Sequence, residues 1–265
     1  MKTMNFAVKA SVASAALAFI MAPVGVVAEE KPGLLSDIPG EFSANVGITS
    51  QYLFRGLDQS DEMPALQGGI DYSVDTGLNN LGLYLGAWGS NVNFNDGNQA
   101  SVELDGYGGV TGTVANIDWD LGVIYYAYPG ASSALNYNFV EYKVALGYSV
   151  SENLDSGLSY SYSPDFFGAS GTSHFVQATG SYAIPYFEKF DMSIDASAGR
   201  QWIEKNATYL QPDYWTWSLG LGLQLSKNLS ASLTYVDTDI EEGACGGGGA
   251  DACDARAIFA LTASF

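Results

Sequence analysis

The sequence predicts an all-β fold, a transmembrane antiparallel up-and-down β-barrel of about 12 strands. Three observations predict it. Apolar and polar residues alternate with period two over long segments. Charges inside those segments fall almost wholly on the face opposite the apolar one. The last segment alternates apolar residues up to an aromatic residue at Phe265.

Residues 1–28 read as a cleaved export signal. Lys2 and Lys9 make a short basic start, an Ala-rich apolar run follows from Ala10 to about Val24, and Val26 and Ala28 supply small residues before a cut after Ala28. The run is too short for a spanning helix, which needs about 20 apolar residues. Residues 29–40 then form a short periplasmic segment and 41–265 a single barrel, with no linker or second domain.

Losing Lys2 and Lys9 leaves 8 of the 10 basic residues against 29 acidic ones, a formal net charge of −21. Nucleic-acid binding is disfavoured as a function class, because phosphate binding needs a basic surface. Acidic loops account for part of the charge, but not for acids within strands.

Twelve segments carry the period-two pattern: 41–54, 64–75, 81–94, 101–112, 117–128, 137–150, 154–163, 173–184, 190–202, 214–226, 229–237 and 256–265. In the first, Phe42, Ala44, Val46, Ile48, Tyr52 and Phe54 share one face, while Ser43, Asn45, Thr49 and Gln51 share the other. Soluble strands average about 5–6 residues, whereas tilted membrane strands need about 9–11, so the lengths favour a membrane barrel. Tight connections at Thr76-Gly77, near Val114, at Glu152-Asn153, from Pro185 to Lys189 and at Lys227-Asn228 alternate with longer polar ones. Short periplasmic turns alternating with longer outer loops are the habit of such barrels.

The charges test this assignment. Asp71, Glu103, Asp105, Asp118, Asp120, Glu141, Lys143, Asp155, Asp191, Asp195 and Arg256 fall on inner faces, and Arg200, near a strand end, on an outer face. An Arg or Lys at the lipid midplane costs about 2–4 kcal/mol, which enforces this separation. Strand 81–94 is apolar on both faces and its phase stays open. Asp71, Asp118, Asp120, Asp155, Asp191 and Asp195 belong to the periplasmic half, and Glu103, Asp105, Glu141 and Lys143 lie nearer the outside. Aromatic residues gather towards strand ends, among them Tyr52 and Phe54, Tyr126 and Tyr128, Tyr160 and Tyr162, and Tyr214, Trp215 and Trp217. Amphipathic rings favour the headgroup layer, although sheet preference for aromatics also contributes.

Ala257, Phe259, Leu261, Ala263 and Phe265 alternate to the last residue. This resembles the C-terminal signature of bacterial outer-membrane proteins, and it implies Phe265 as part of the signal read by the barrel-assembly machinery. Cys245 and Cys253 lie in one Gly-rich stretch, where an exported protein favours a local disulfide. A soft-ligand metal pair is disfavoured because His174 is the only histidine.

Ser173 precedes His174 directly, but adjacent strand residues face opposite ways, so the two cannot act as nucleophile and base. Asp237, Asp239, Glu241 and Glu242 offer oxygen ligands without the spacing of a known calcium loop, and an acidic surface loop accounts for them better. Arg55 faces inward at the top of the first strand, beside Asp58 and Asp61. It either holds a loop across the mouth by ion pairing or is a solvated rim charge.

The run NVGITSQYLFRGLDQS, Asn45 to Ser60, resembles the first strand and loop of the TorF-type porin family, a conserved hypothetical family of proteobacterial outer-membrane barrels. PALQGGIDY (Pro64 to Tyr72), GAWGSNV (Gly86 to Val92), ELDGYGG (Glu103 to Gly109), YYAYPG (Tyr125 to Gly130) and SYSYSPDFF (Ser159 to Phe167) extend the resemblance over nearly the whole mature chain. It implies an outer-membrane barrel of pore function and supplies no substrate or site. The Cys245–Cys253 loop is not part of that pattern.

Nine inner acids against two inner basic groups imply an acidic lumen, and acidic rings favour cations. The expectation is a porin-like channel for small cationic or neutral solutes, seated in outer-membrane lipid and lipopolysaccharide, without cofactor or metal. Asp71, Glu103, Asp105, Asp118, Asp120, Glu141, Lys143, Asp191, Asp195 and Arg55 are its candidate lumen residues. The alternatives are a non-conducting structural or adhesive barrel, which an interior blocked by side chains or an inserted loop would indicate, and a lipid-modifying enzyme. Twelve strands lie between a side-chain-filled eight and an open sixteen, so a narrow pore is expected.

Overall fold

A strand with one apolar and one polar side leaves its polar side in need of cover, and a sheet closed on itself supplies that cover while abolishing its edges. A computed structural model describes residues 38–78, 80–95, 97, 100–185, 191–206, 212–241, 244–245 and 251–265. The export signal, most of 29–40, most of the connection after Pro185, and Glu242 lie outside the described residues.

Among the described residues twelve antiparallel strands close into one barrel. They are β1 (Glu41–Thr49), β2 (Ala65–Asp75), β3 (Gly82–Asn91), β4 (Val102–Val114), β5 (Ile117–Ala127) and β6 (Phe139–Ser151), then β7 (Leu154–Ser163), β8 (Ser173–Ile184), β9 (Met192–Ile203), β10 (Tyr214–Ser226), β11 (Leu229–Thr238) and β12 (Arg256–Ser264). Each pairs with its neighbour in sequence, and β1 pairs with β12 from Asn45↔Ser264 to Thr49↔Ala260. The backbone of Phe265 extends this seam by exchanging hydrogen bonds of 2.8 and 3.1 Å with Ala44.

The short turns cluster at one end. Ala115 and Asn116 both have positive φ, 51° and 65°, in the two-residue turn between β4 and β5, as a hairpin matched to strand twist requires. The longer connections lie at the other end, the loop end.

Outward residues form the apolar belt, with Val46, Leu66, Leu85, Val144, Leu219 and Phe259 each more than two-fifths exposed. Strand β3 resolves its phase with Leu83 and Leu85 outward and Tyr84, Trp88 and Ser90 inward. Arg200 is outward near the rim, 3.6 Å from Asp239 and lying 5.6–5.9 Å from the ring centres of Trp215 and Trp202. That pairing, with the exposed rim, lets an arginine sit on the lipid side. Asp237 joins it on the outer face at the end of β11, where it accepts from the Tyr235 hydroxyl at 2.8 Å.

Two expectations are corrected. The first strand does not run to 54: it ends at Thr49, and the chain then leaves the wall and turns into the barrel. The aromatics named at strand ends do not all face lipid. Tyr52, Tyr126, Tyr128 and Tyr214 are buried inside, whereas Tyr160, Trp215 and Trp217 are exposed outside. For Tyr126 the reason is parity, since it shares a face with Asp118 and Asp120.

Candidate functional site: the barrel interior

The turn-end half of the interior is acidic, and its acids run from exposed Asp118, Asp155 and Asp191 to Asp120, which is buried with its Oδ2 lacking a hydrogen-bond partner. Asp71 accepts from the Tyr107 hydroxyl at 2.6 Å, and Asp120 from the Tyr84 hydroxyl at 3.0 Å. Asp118 accepts from Thr113 and Asp155 from Ser149, each at 2.6 Å, and Asp195 from both Ser181 and Ser193 at 2.6 Å. Asp118, Asp155 and Asp191 are exposed to solvent. Hydroxyl donors satisfy a carboxylate without cancelling its charge. Lys143 is the basic side chain set among them: it stands across from Gly122, one inward position from Asp120 on β5 and from Glu141 on its own strand.

Glycines let the two tyrosines lie flat along the wall. A Cβ on Gly109 or Gly122 would come within 2.5–2.6 Å of the Tyr84 hydroxyl, and one on Gly86 within 2.4 Å of the Tyr107 ring. Ring-over-glycine packing of this kind keeps aromatics from projecting into the interior.

The loop-end half is filled. Each of the twelve strands contributes an inward residue less than a tenth exposed there, from Thr49 on β1 through Glu103, Glu141, Ser173 and Gln201 to Ile258 on β12. The filling comes from segment 50–63, which includes a two-residue hairpin of Leu53–Phe54 with Leu57–Asp58, together with aromatic residues of other loops, Phe94, Tyr128, Tyr137 and Phe167. Its contacts reach strands all round the wall. The Tyr52 hydroxyl donates to Glu103 on β4 at 2.9 Å. Leu53 packs with Val236 on β11 and Ile258 on β12. Gly56, at φ +86°, sits so near β10 and β11 that a Cβ would come within 2.6 Å of both Thr216 and Thr238. Tyr52 and Phe54 also join an aromatic cluster containing Trp88, Phe94, Tyr126 and Phe139.

Arg55 stands at the tip. One guanidinium nitrogen donates to both Glu141 oxygens at 2.7 and 2.8 Å, and the other to Gln201 Oε1 at 2.7 Å. The Phe54 and Phe175 rings lie 4.7 and 4.2 Å from the guanidinium. Gln201 is oriented by donating to Ser173 Oγ at 2.6 Å, and Glu141 accepts a further bond from Tyr126 at 3.2 Å. Arg55 therefore reaches across to β6 and β9 and does not pair with Asp58 or Asp61, because strand parity no longer applies once the chain leaves the wall. Asp58 instead faces Arg256 at 3.9 Å, and Asp61 accepts from Asn93 at 3.2 Å.

The other expected residues fall as follows. Glu103 and Asp105 are inward and buried near the loop end, away from free water, and Asp105 Oδ1 has no hydrogen-bond partner. Arg256 is inward and pairs with Glu62 at 2.7 Å. His174 is outward, with its ring hydrogen-bonded to the Tyr160 hydroxyl at 2.7 Å, whereas Ser173 points inward and is fully buried. Cys245 and Cys253 are joined by a disulfide with their Cα atoms 5.7 Å apart. The residues that sequence reasoning missed are Gln201 and Tyr126. Both share parity with inward acids of their own strands, Asp195 and Asp120, and that was the signal for them.

Comparison with known proteins adds the family. The family described as Gcw_chp, a bacterial protein of unknown function, matches residues 35–265. The chain belongs to this family. No curated protein sequence matches it. The Gcw_chp barrel is similar to the KdgM porin, with a TM-score of 0.52 at 11% identity over 84% of this chain and 99% of that one. It is similar to the NanC porin, at 0.51 and 10% over 85% and 99%. The COG4313 outer membrane channel from Pseudomonas putida F1 matches at 0.50 and 12% over 89% and 99%. At these identities the shared property is the fold, the closed antiparallel barrel of outer-membrane porins.

Proposed function

We propose that the protein is an outer-membrane channel that passes small cationic or neutral solutes by passive diffusion. The observation that carries this is the state of the turn-end acids: Asp71, Asp118, Asp120, Asp155 and Asp195 are held by hydroxyls, and among the described residues no ion pair reaches them. Their charge acts on the lumen, where a low-dielectric wall focuses it and salt screens it less than on an open surface. One KdgM structure is a complex with disordered oligogalacturonate, a polyanion. An acidic interior disfavours such a ligand, so the solute class proposed for this chain has the opposite sign.

The rest of the proposal follows from the sequence. Residues 1–28 direct export, the barrel-assembly machinery reads the strand ending in Phe265, and the belt seats in lipid and lipopolysaccharide. The TorF-type resemblance agrees with a pore. Catalysis finds no support, since His174 faces lipid and Ser173 faces inward.

One observation favours a second reading, a structural barrel that does not conduct: segment 50–63 fills the loop-end half. Planar-bilayer recording of refolded mature protein separates the two. The channel reading expects small, intermittent conductance steps from protein whose gel mobility shifts on boiling. Silence from such folded protein favours the second.

A further inference from the structure

Segment 50–63 is built unlike the wall around it. It crosses the interior with few backbone hydrogen bonds to the barrel strands, among them Ser50 to Phe259 at 2.8 Å. At its tip Arg55 has a φ of +52°, a conformation that costs a non-glycine residue and persists where its surroundings hold it. Its surroundings are two wall strands well removed from β1: Glu141 on β6 and Gln201 on β9. Its root is tied separately. Arg256 bonds Glu62 at 2.7 Å, and the Asp58 amide donates to the Ala252 carbonyl at 2.8 Å, beside Cys253.

We infer that segment 50–63 is a gate, and that the Arg55 fork on Glu141 and Gln201 is the latch that holds it shut. The inference rests on the channel reading. Among the described residues the fork is the tip's one ion pair, set beside the packing of Phe54 on Tyr126 and of Gly56 on Thr216 and Thr238, and the root is held elsewhere: loss of the fork weakens the hold on the tip while Arg256 and Asp58 retain the root. The latch also couples opening to selectivity. When shut, the Arg55 charge lies against Glu141, whose side chain is 1% exposed. When open, Glu141 joins Glu103 and Asp105 on the wall of the opening without that counter-charge. The open channel therefore prefers cations more strongly than the interior does with the latch closed.

Single-channel recording and reversal potentials on full mature protein test this, with heat-modified gel mobility as the check on folding. Arg55→Met is expected to raise the fraction of time open roughly tenfold or more, because a two-state equilibrium moves by the differential energy removed from one state, and to strengthen cation preference. Glu141→Gln keeps acceptors for Arg55 but drops the charge. It is expected to raise opening less, with weaker cation preference than Arg55→Met. Should Arg55→Met fail to fold, replacement of residues 51–62 by a short Gly-Ser turn tests the gate by itself. Folded variants that conduct as the wild type does overturn the gate. If the wild type and the loop replacement are both silent while folded, the channel reading fails and takes the gate with it.

Discussion

Arg55 and Glu141 form an ion pair of 2.7 Å inside the barrel, with side chains 8% and 1% exposed, between a segment that has left the wall and a strand on the far side of the interior. Breaking one side of such a pair leaves an uncompensated buried charge, whereas replacing both sides by apolar groups of similar size removes the problem. Arg55→Met is therefore expected to destabilise the barrel by about 3–5 kcal/mol, and Arg55→Met with Glu141→Met to recover most of that. Denaturant unfolding in lipid vesicles measures both. A double variant as unstable as the single would mean that the two side chains are not energetically coupled.

The face assignment predicts tryptophan fluorescence. Trp202, Trp215 and Trp217 are outward and between 38% and 49% exposed, whereas Trp88 is inward with its ring 5.6 Å from Tyr52. Brominated lipid should quench a protein that keeps only Trp215 strongly and one that keeps only Trp88 weakly. Equal quenching would contradict the inward placement of Trp88 on β3.

Much of this was legible because lipid imposes a simple rule. Alternation located the strands to within a few residues, and the inward parity of Asp118 and Asp120 already implied that of Tyr126. The gate segment was not legible. Tyr52 and Phe54 continue the alternation of β1, so a pattern rule carries them outward, but the chain leaves the sheet after Thr49 and parity ceases to describe it. Burial of Tyr52 depends on Glu103, 51 residues away, and the Arg55 partners lie 86 and 146 residues away. Contacts of that range follow from barrel closure and not from local pattern. Asp58 and Asp61, the acids nearest Arg55 in sequence, pair with Arg256 and Asn93 instead.

Removal of Phe265 should impair assembly. Its backbone exchanges two hydrogen bonds with Ala44 across the β1–β12 seam, and its side chain is 66% exposed on the lipid side. Membrane yield of the shortened chain should fall several-fold, roughly what a loss of about 1 kcal/mol in pairing implies. Normal yield and a normal heat shift would remove Phe265 from the assembly signal.

The Cys245–Cys253 disulfide closes a short segment of the last loop, and the Cys253 carbonyl accepts from Thr238 at 3.0 Å. Replacing both cysteines by serine should loosen that loop and lower barrel stability by at most about 2.5 kcal/mol, the loop-closure entropy of a ring this short. Hydrogen exchange and unfolding check the two halves of this statement. Two free thiols, found by mass spectrometry in protein from the oxidising envelope, would contradict the bond itself.

In the proposed channel the inward acids, which outnumber Lys143, set the permeability of the interior. The reversal potential in a salt gradient tests it most directly, read on wild type and on the variant with Asp118, Asp120, Asp191 and Asp195 all changed to Asn. Asn is nearly the same size, so a difference reports charge and not shape. The wild type should prefer cations, more at low salt than at high because screening shortens with added salt, and the fourfold variant should lose much of that preference. Anion preference in the wild type would contradict the claim.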